Sequence, residues 1–115
     1  MHELSICQAL IAQVEKIATS HSAQRVALVK LRIGPLSGVE PSLVQYAYPF
    51  ASAGTLAAES TLVIEAVPLK VGCEACGAET EAEPNWLICG ACGSCLTRVV
   101  SGDELMLMSV ELVTY

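Results

Sequence analysis

Five cysteines, Cys73, Cys76, Cys89, Cys92 and Cys95, crowd into 23 positions, while Cys7 stands alone near the start. Cys73-Glu74-Ala75-Cys76 and Cys89-Gly90-Ala91-Cys92 are separated by twelve residues. Each Cys-x-x-Cys is a tight turn that aims two sulfurs at one point, and Gly77, Gly90 and Gly93 permit the backbone bend. Two such knuckles make a tetrahedral four-thiolate cage, for which Zn²⁺ is the best match. A site closed by four thiolates keeps no open coordination position, so its expected role is structural. The segment around it is too short to bury a core of its own, and metal binding is expected to supply its folding energy.

A redox dithiol fits these residues less well, because two matched pairs are present and neither sits at a strand-to-helix junction. Cys92-Gly93-Ser94-Cys95 overlaps the second pair as a third Cys-x-x-Cys. A set that uses Cys92 with Cys95 in place of Cys89 with Cys92 therefore stays open. The symmetric spacing and the glycines favour Cys73, Cys76, Cys89 and Cys92, with Cys95 as a spare thiol.

Met1-His2-Glu3 is the second set with chemistry in it. By position alone a histidine there is a solvated tail residue. Its bulk, however, is expected to keep the initiator Met in place. A free α-amine, the amide nitrogen of His2 and its imidazole can then wrap one metal in fused chelate rings, with Glu3 completing the set. A nitrogen-rich square-planar site of this kind selects Ni²⁺ or Cu²⁺ over Zn²⁺. His21, between Ser20 and Ser22, reads as a surface residue. No Ser/His/Asp or Cys/His set has catalytic spacing, phosphate-loop glycines are absent, and no enzyme activity is expected.

Charge narrows the partners. Residues 1–70 carry five acids and five bases, whereas 71–115 carry seven acids against Arg98 alone, and so hold the whole formal charge of −6. Clustered Lys and Arg are needed to displace counterions from a nucleic-acid backbone, so no nucleic-acid partner is expected. The acidic cysteine segment reads instead as a docking surface for a basic partner. The longest apolar run is far short of the roughly 20 residues a membrane helix needs. The start also lacks the pattern of a secretory signal, and a cytoplasmic protein with no membrane partner is expected.

The elements that must position these groups follow from periodicity. Leu4, Ile6, Cys7, Leu10, Ile11, Val14, Ile17 and Ala18 predict an amphipathic helix over about residues 4–19. Alternation predicts a strand over 24–33, with Ala27, Val29, Leu31 and Ile33 on one face and Lys30 and Arg32 on the other with Val26 and Leu28. Pro41 opens a second helix, which Pro49 is expected to bend or end early, near Gly54. Strands follow over 61–67 and 104–113, the latter with Met106, Met108, Val110 and Leu112 on a shared face. A lone terminal strand needs partners. The expected fold is therefore α+β: a small three-stranded sheet with two helices, plus an inserted zinc-ribbon-like module with four cysteine ligands. The domain reading is 1–69 with 101–115 as the α+β domain, and 70–100 as the inserted zinc-binding domain.

Taken whole, the chain resembles the HypA/HybF family of hydrogenase nickel-incorporation proteins. The resemblance rests on Met1-His2-Glu3-Leu4-Ser5 and on Ile33-Gly34-Pro35-Leu36-Ser37-Gly38-Val39-Glu40-Pro41. It continues through Gly54-Thr55, Leu62-Val63-Ile64-Glu65-Ala66-Val67-Pro68, both cysteine pairs and Ser101-Gly102-Asp103-Glu104-Leu105. It implies a small metallochaperone that transports Ni²⁺ on Met1, His2 and Glu3 and holds structural Zn²⁺ on Cys73, Cys76, Cys89 and Cys92. The partners it implies are a HypB-type GTPase and the large-subunit precursor of [NiFe]-hydrogenase, with urease a further client of some members; a homodimer is a candidate assembly. Cys95 and Pro49 depart from the family's pattern. Two rivals compete with this reading: a zinc-ribbon interaction or transcription module without nickel, and a thiol oxidoreductase using Cys92 and Cys95.

Overall fold

The apolar stripe of the N-terminal segment forms a helix because its large side chains recur every three or four positions. In the computed structural model, which describes residues 2–115, this is α1 (His2–Ser20), with Cys7, Leu10, Ile11, Val14 and Ala18 buried. His21 closes it: its Nδ1 lies 2.9 Å from the carbonyl of Ile17, and Ser20 Oγ donates to the same oxygen at 2.8 Å. One of the carbonyls that a helix C-terminus leaves open is thereby satisfied.

β1 (Ala23–Ile33) follows. Val29, Leu31 and Ile33 are buried in alternation as expected, but Val26, placed on the opposite face by the same alternation, is fully buried too. The reason is the segment after the second helix: Val26 N–H donates to the carbonyl of Leu56 at 2.9 Å, and Ala57 beside it is fully buried.

α2 (Pro41–Ser52) starts on a proline, whose missing N–H costs nothing at a first helical position. It continues three residues past Pro49, so the proline removes one ladder bond and the helix survives it. Val44, Ala47 and Tyr48 face inward, and the Tyr48 hydroxyl lies 2.6 Å from Ser60 Oγ. Burial, partly offset by that hydrogen bond, raises the Tyr48 phenol above its ordinary value.

β2 (Thr61–Ala66) and β6 (Leu105–Thr114) flank β1 in a three-stranded sheet of order β2-β1-β6. The terminal strand thus joins the sheet at its edge, through β1. Its expected apolar face is only half covered: Val110 and Leu112 are partly buried, whereas Met106 and Met108 are exposed.

Between β2 and β6 lie three short strands, β3 (Lys70–Cys73), β4 (Glu79–Glu81) and β5 (Thr97–Ser101), in a second, antiparallel sheet of order β4-β3-β5. The chain divides into two compact units. One comprises Met1–Leu31, Glu40–Glu65 and Met106–Tyr115; the other comprises Arg32–Val39 and Ala66–Leu105. Among the described residues no helix is long and apolar enough to cross a membrane.

Candidate metal centre

The second sheet ends in the two cysteine pairs, and their local folds repeat with an offset of sixteen positions. Gly77 N–H donates to the Cys73 carbonyl at 2.9 Å, and Gly93 N–H to the Cys89 carbonyl at the same distance. Cys73 N–H reaches the carbonyl of Ala78, and Cys89 N–H that of Ser94, both at 2.9 Å. Gly77 and Gly93 hold φ of 77° and 78°, the left-handed conformation that lets each turn close without a Cβ clash.

Inside each turn the first sulfur collects backbone donors. Cys73 Sγ accepts from Ala75 and Cys76, each at 3.3 Å; Cys89 Sγ accepts from Ala91 at 3.3 Å and Cys92 at 3.4 Å. Thr80 and Leu96 brace the pair from outside: Gly90 N–H donates to Thr80 Oγ1, and Glu74 N–H to the Leu96 carbonyl, each at 2.8 Å. Neither brace is visible in the cysteine spacing. The sixteen-residue offset that relates the two turns is.

The turns face each other. Cys73 and Cys92 sulfurs lie 3.6 Å apart, as do those of Cys76 and Cys89, and all four lie within 4.8 Å of one another. That is too far for a disulfide bond of about 2.05 Å, and every cysteine is free. It brackets the edge of about 3.8 Å that a tetrahedron of thiolates with metal–sulfur bonds of about 2.3 Å would have. The structure therefore assembles the four cysteines of the two matched pairs into one metal-binding cluster. Cys95, exposed and beyond the second turn, is not in it.

The electrostatics of the cluster favour a cation. Backbone donors from Cys92 and Ala91 bring the Cys89 thiol down to about 6, and those of Cys76 and Ala75, against some desolvation, lower Cys73. Cys92 is itself lowered by the Ser94 amide, but the adjoining thiols of Cys73, Cys76 and Cys89 together with burial outweigh that and push it up to about 12. Four sulfurs this close cannot all ionise unaided, and a divalent cation among them removes the obstacle.

The other predicted set is less fully described. Met1 lies outside the described residues; His2 is exposed and Glu3 half-buried in the first turn of α1. Backbone N–H groups in a first helical turn have no partner within the helix. Cys7 is a core thiol: its sulfur donates to the Val44 carbonyl at 3.6 Å, and burial, with a smaller push from Glu3, raises it.

An α+β fold carrying a module built around four converging thiols is that of a small metal-handling protein. The family model described as hydrogenase/urease nickel incorporation, metallochaperone, HypA matches residues 1–112. The hydrogenase maturation factor HypA of Nitrosospira multiformis is 69% identical over 114 residues, 99% of each chain. That of Aquifex aeolicus is 41% identical over 112 residues, 97% of each chain. A solution structure of a HypA protein superposes with a TM-score of 0.75 at 25% identity, covering all of this chain and 98% of that one. The solution structure of the Ni metallochaperone HypA from Helicobacter pylori, at 24% identity and 98% coverage of both chains, shares the fold with a TM-score of 0.69. The chain belongs to the HypA family of nickel metallochaperones.

Proposed function

We propose that the protein binds Ni²⁺ at its N-terminus and delivers it to the large-subunit precursor of [NiFe]-hydrogenase, while Zn²⁺ on Cys73, Cys76, Cys89 and Cys92 holds a structural module. The observation that carries the reading is the family match, which takes in both the Met1-His2-Glu3 start and the four cysteines in one chain.

The chemistry is transfer without catalysis. The α-amine of Met1, the amide nitrogen of His2, its imidazole and Glu3 supply the nickel donors, and the His2 amide proton passes to solvent as the metal binds. The exposure of His2, and the open N–H groups of a first helical turn, support a site that an incoming acceptor ligand can approach. Zinc supplies cross-linking in place of a hydrophobic core. Residues 70–100 form the zinc domain inserted into the nickel domain of 1–69 and 101–115. A HypB-type GTPase supplies the nucleotide chemistry, the assembly includes a homodimer, and the work takes place in the cytoplasm.

The test is a Ni²⁺ titration of zinc-loaded protein with its authentic N-terminus, beside a form with one extra N-terminal residue and His2→Ala. Tight binding by the authentic form alone is expected, with zinc content and helical signal unchanged in all three. Equal binding by the three forms would overturn the N-terminal site.

A further inference from the structure

A cavity of about 320 Å³ opens beside the second knuckle, lined by Glu81, Glu83, Trp86, Ile88, Cys89 and Gly90 among others. Trp86 lines it, 65% exposed although it is the largest apolar side chain in the protein. Its place is set by a tight turn: Trp86 N–H donates to the Glu83 carbonyl at 2.9 Å, and the two residues pair as an isolated β-bridge. The cavity lining also includes Glu81 and Glu83, both exposed and, among the described residues, without an ion-pair or hydrogen-bond partner for either side chain.

We propose that this cavity receives an arginine side chain of a partner protein. A cation over an indole face is attracted by the ring quadrupole, and tryptophan is the strongest of the aromatic platforms. The planar guanidinium both stacks on such a ring and forks onto carboxylates, which an ammonium does less well.

The protein's own cations leave the place open. Lys70 stands opposite Glu81 across the β3–β4 ladder yet forms no ion pair with it, and the guanidinium of Arg98 lies over Gly72 on β3. Neither lines the cavity. An apolar ligand would leave the two carboxylates unanswered, and an anion would be repelled by them.

Trp86 is the only tryptophan, so its emission reports on this cavity alone. Full-length, metal-loaded protein is titrated with an acetylated, amidated Gly-Arg-Gly-Arg-Gly peptide and with its citrulline counterpart, which keeps the shape and removes the charge. The arginine peptide is expected to change the emission saturably and the citrulline peptide is not. The double variant Glu81→Gln/Glu83→Gln is expected to weaken binding by about tenfold, since two charge-assisted contacts are lost. Glu111→Gln, which removes an acid on β6 outside the cavity, leaves it unchanged. Metal content and circular dichroism verify that each variant is folded. An equal response to both peptides, no saturable response, or undiminished binding by the double variant would overturn the proposal.

Discussion

Gly34 and Gly102 meet backbone to backbone. A Cβ built on Gly34 would fall onto the Gly102 carbonyl, and one on Gly102 would lie 2.8 Å from the Cα of Leu69. Two hydrogen bonds lace the contact, from Gly34 N–H to the Glu104 carbonyl at 2.8 Å and from Leu36 N–H to the Gly102 carbonyl at 2.7 Å. Backbone cannot swing aside as a side chain can, so Gly34→Ala is expected to cost about 3 kcal/mol, the upper end of the usual cost of overpacking. Gly38 provides the comparison. It has a φ of 78° but open space around it, so Gly38→Ala pays only the left-handed conformation, about 1 kcal/mol. Urea unfolding followed by Trp86 emission distinguishes the two, and equal midpoints would show that the Gly34 contact yields.

The cysteine assignment separates by metal analysis. Cys73→Ser removes a sulfur that accepts two backbone N–H bonds and faces Cys92. It is expected to lose zinc and the ordered β3–β5 sheet together. Cys95→Ser is expected to keep a full complement of zinc. Retained zinc in the first variant and lost zinc in the second would reassign the ligand set to include Cys95.

Glu104 gives the protein an acid-sensitive joint. Its carboxylate accepts the Gly102 N–H at 2.6 Å, and that bond, with those from the Glu104 and Asp103 amides and the charge of Arg32, holds it below the usual carboxylate value. A depressed carboxylate contributes stability that is complete above its unfolded value of about 4.3 and is lost as pH falls through the lower folded one. Glu104→Gln is expected to lower the urea midpoint at neutral pH and to flatten its decline below about pH 4.3 relative to the parent protein. Parallel pH profiles for the two would remove Glu104 from that role.

Much of the scaffold is legible in residue order because the signals there are strong and local. Apolar side chains at three- and four-residue steps specify α1, and Val29, Leu31 and Ile33 alternate cleanly in β1. The four cysteines converge as their spacing requires. What escapes is decided by partners remote in the chain. Val26 is buried by the segment around Leu56 and Ala57, which no alternation rule can anticipate. β4 is Glu79-Thr80-Glu81, a short polar stretch without apolar alternation that becomes a strand by pairing with β3. The bond from Gly90 to Thr80 spans ten positions and leaves no mark on the local pattern. The N-terminal trio rests on donor chemistry and the family resemblance, since one histidine beside a chain end carries no periodic signal.

The two turns of the cluster are built alike, and the likeness divides their sulfurs by access. Cys73 and Cys89, the first of each pair, are buried, while Cys76 and Cys92, the second of each, are exposed. The inner two are anchored by amide donors and shielded from reagents; the outer two meet solvent. A metal held here is therefore vulnerable from one side only. Competing thiols, oxidants and alkylating agents would reach the trailing cysteine of each pair first, while Cys73 and Cys89 would hold an ion from the shielded side. Accessibility thus differs between the leading and the trailing sulfurs of one site.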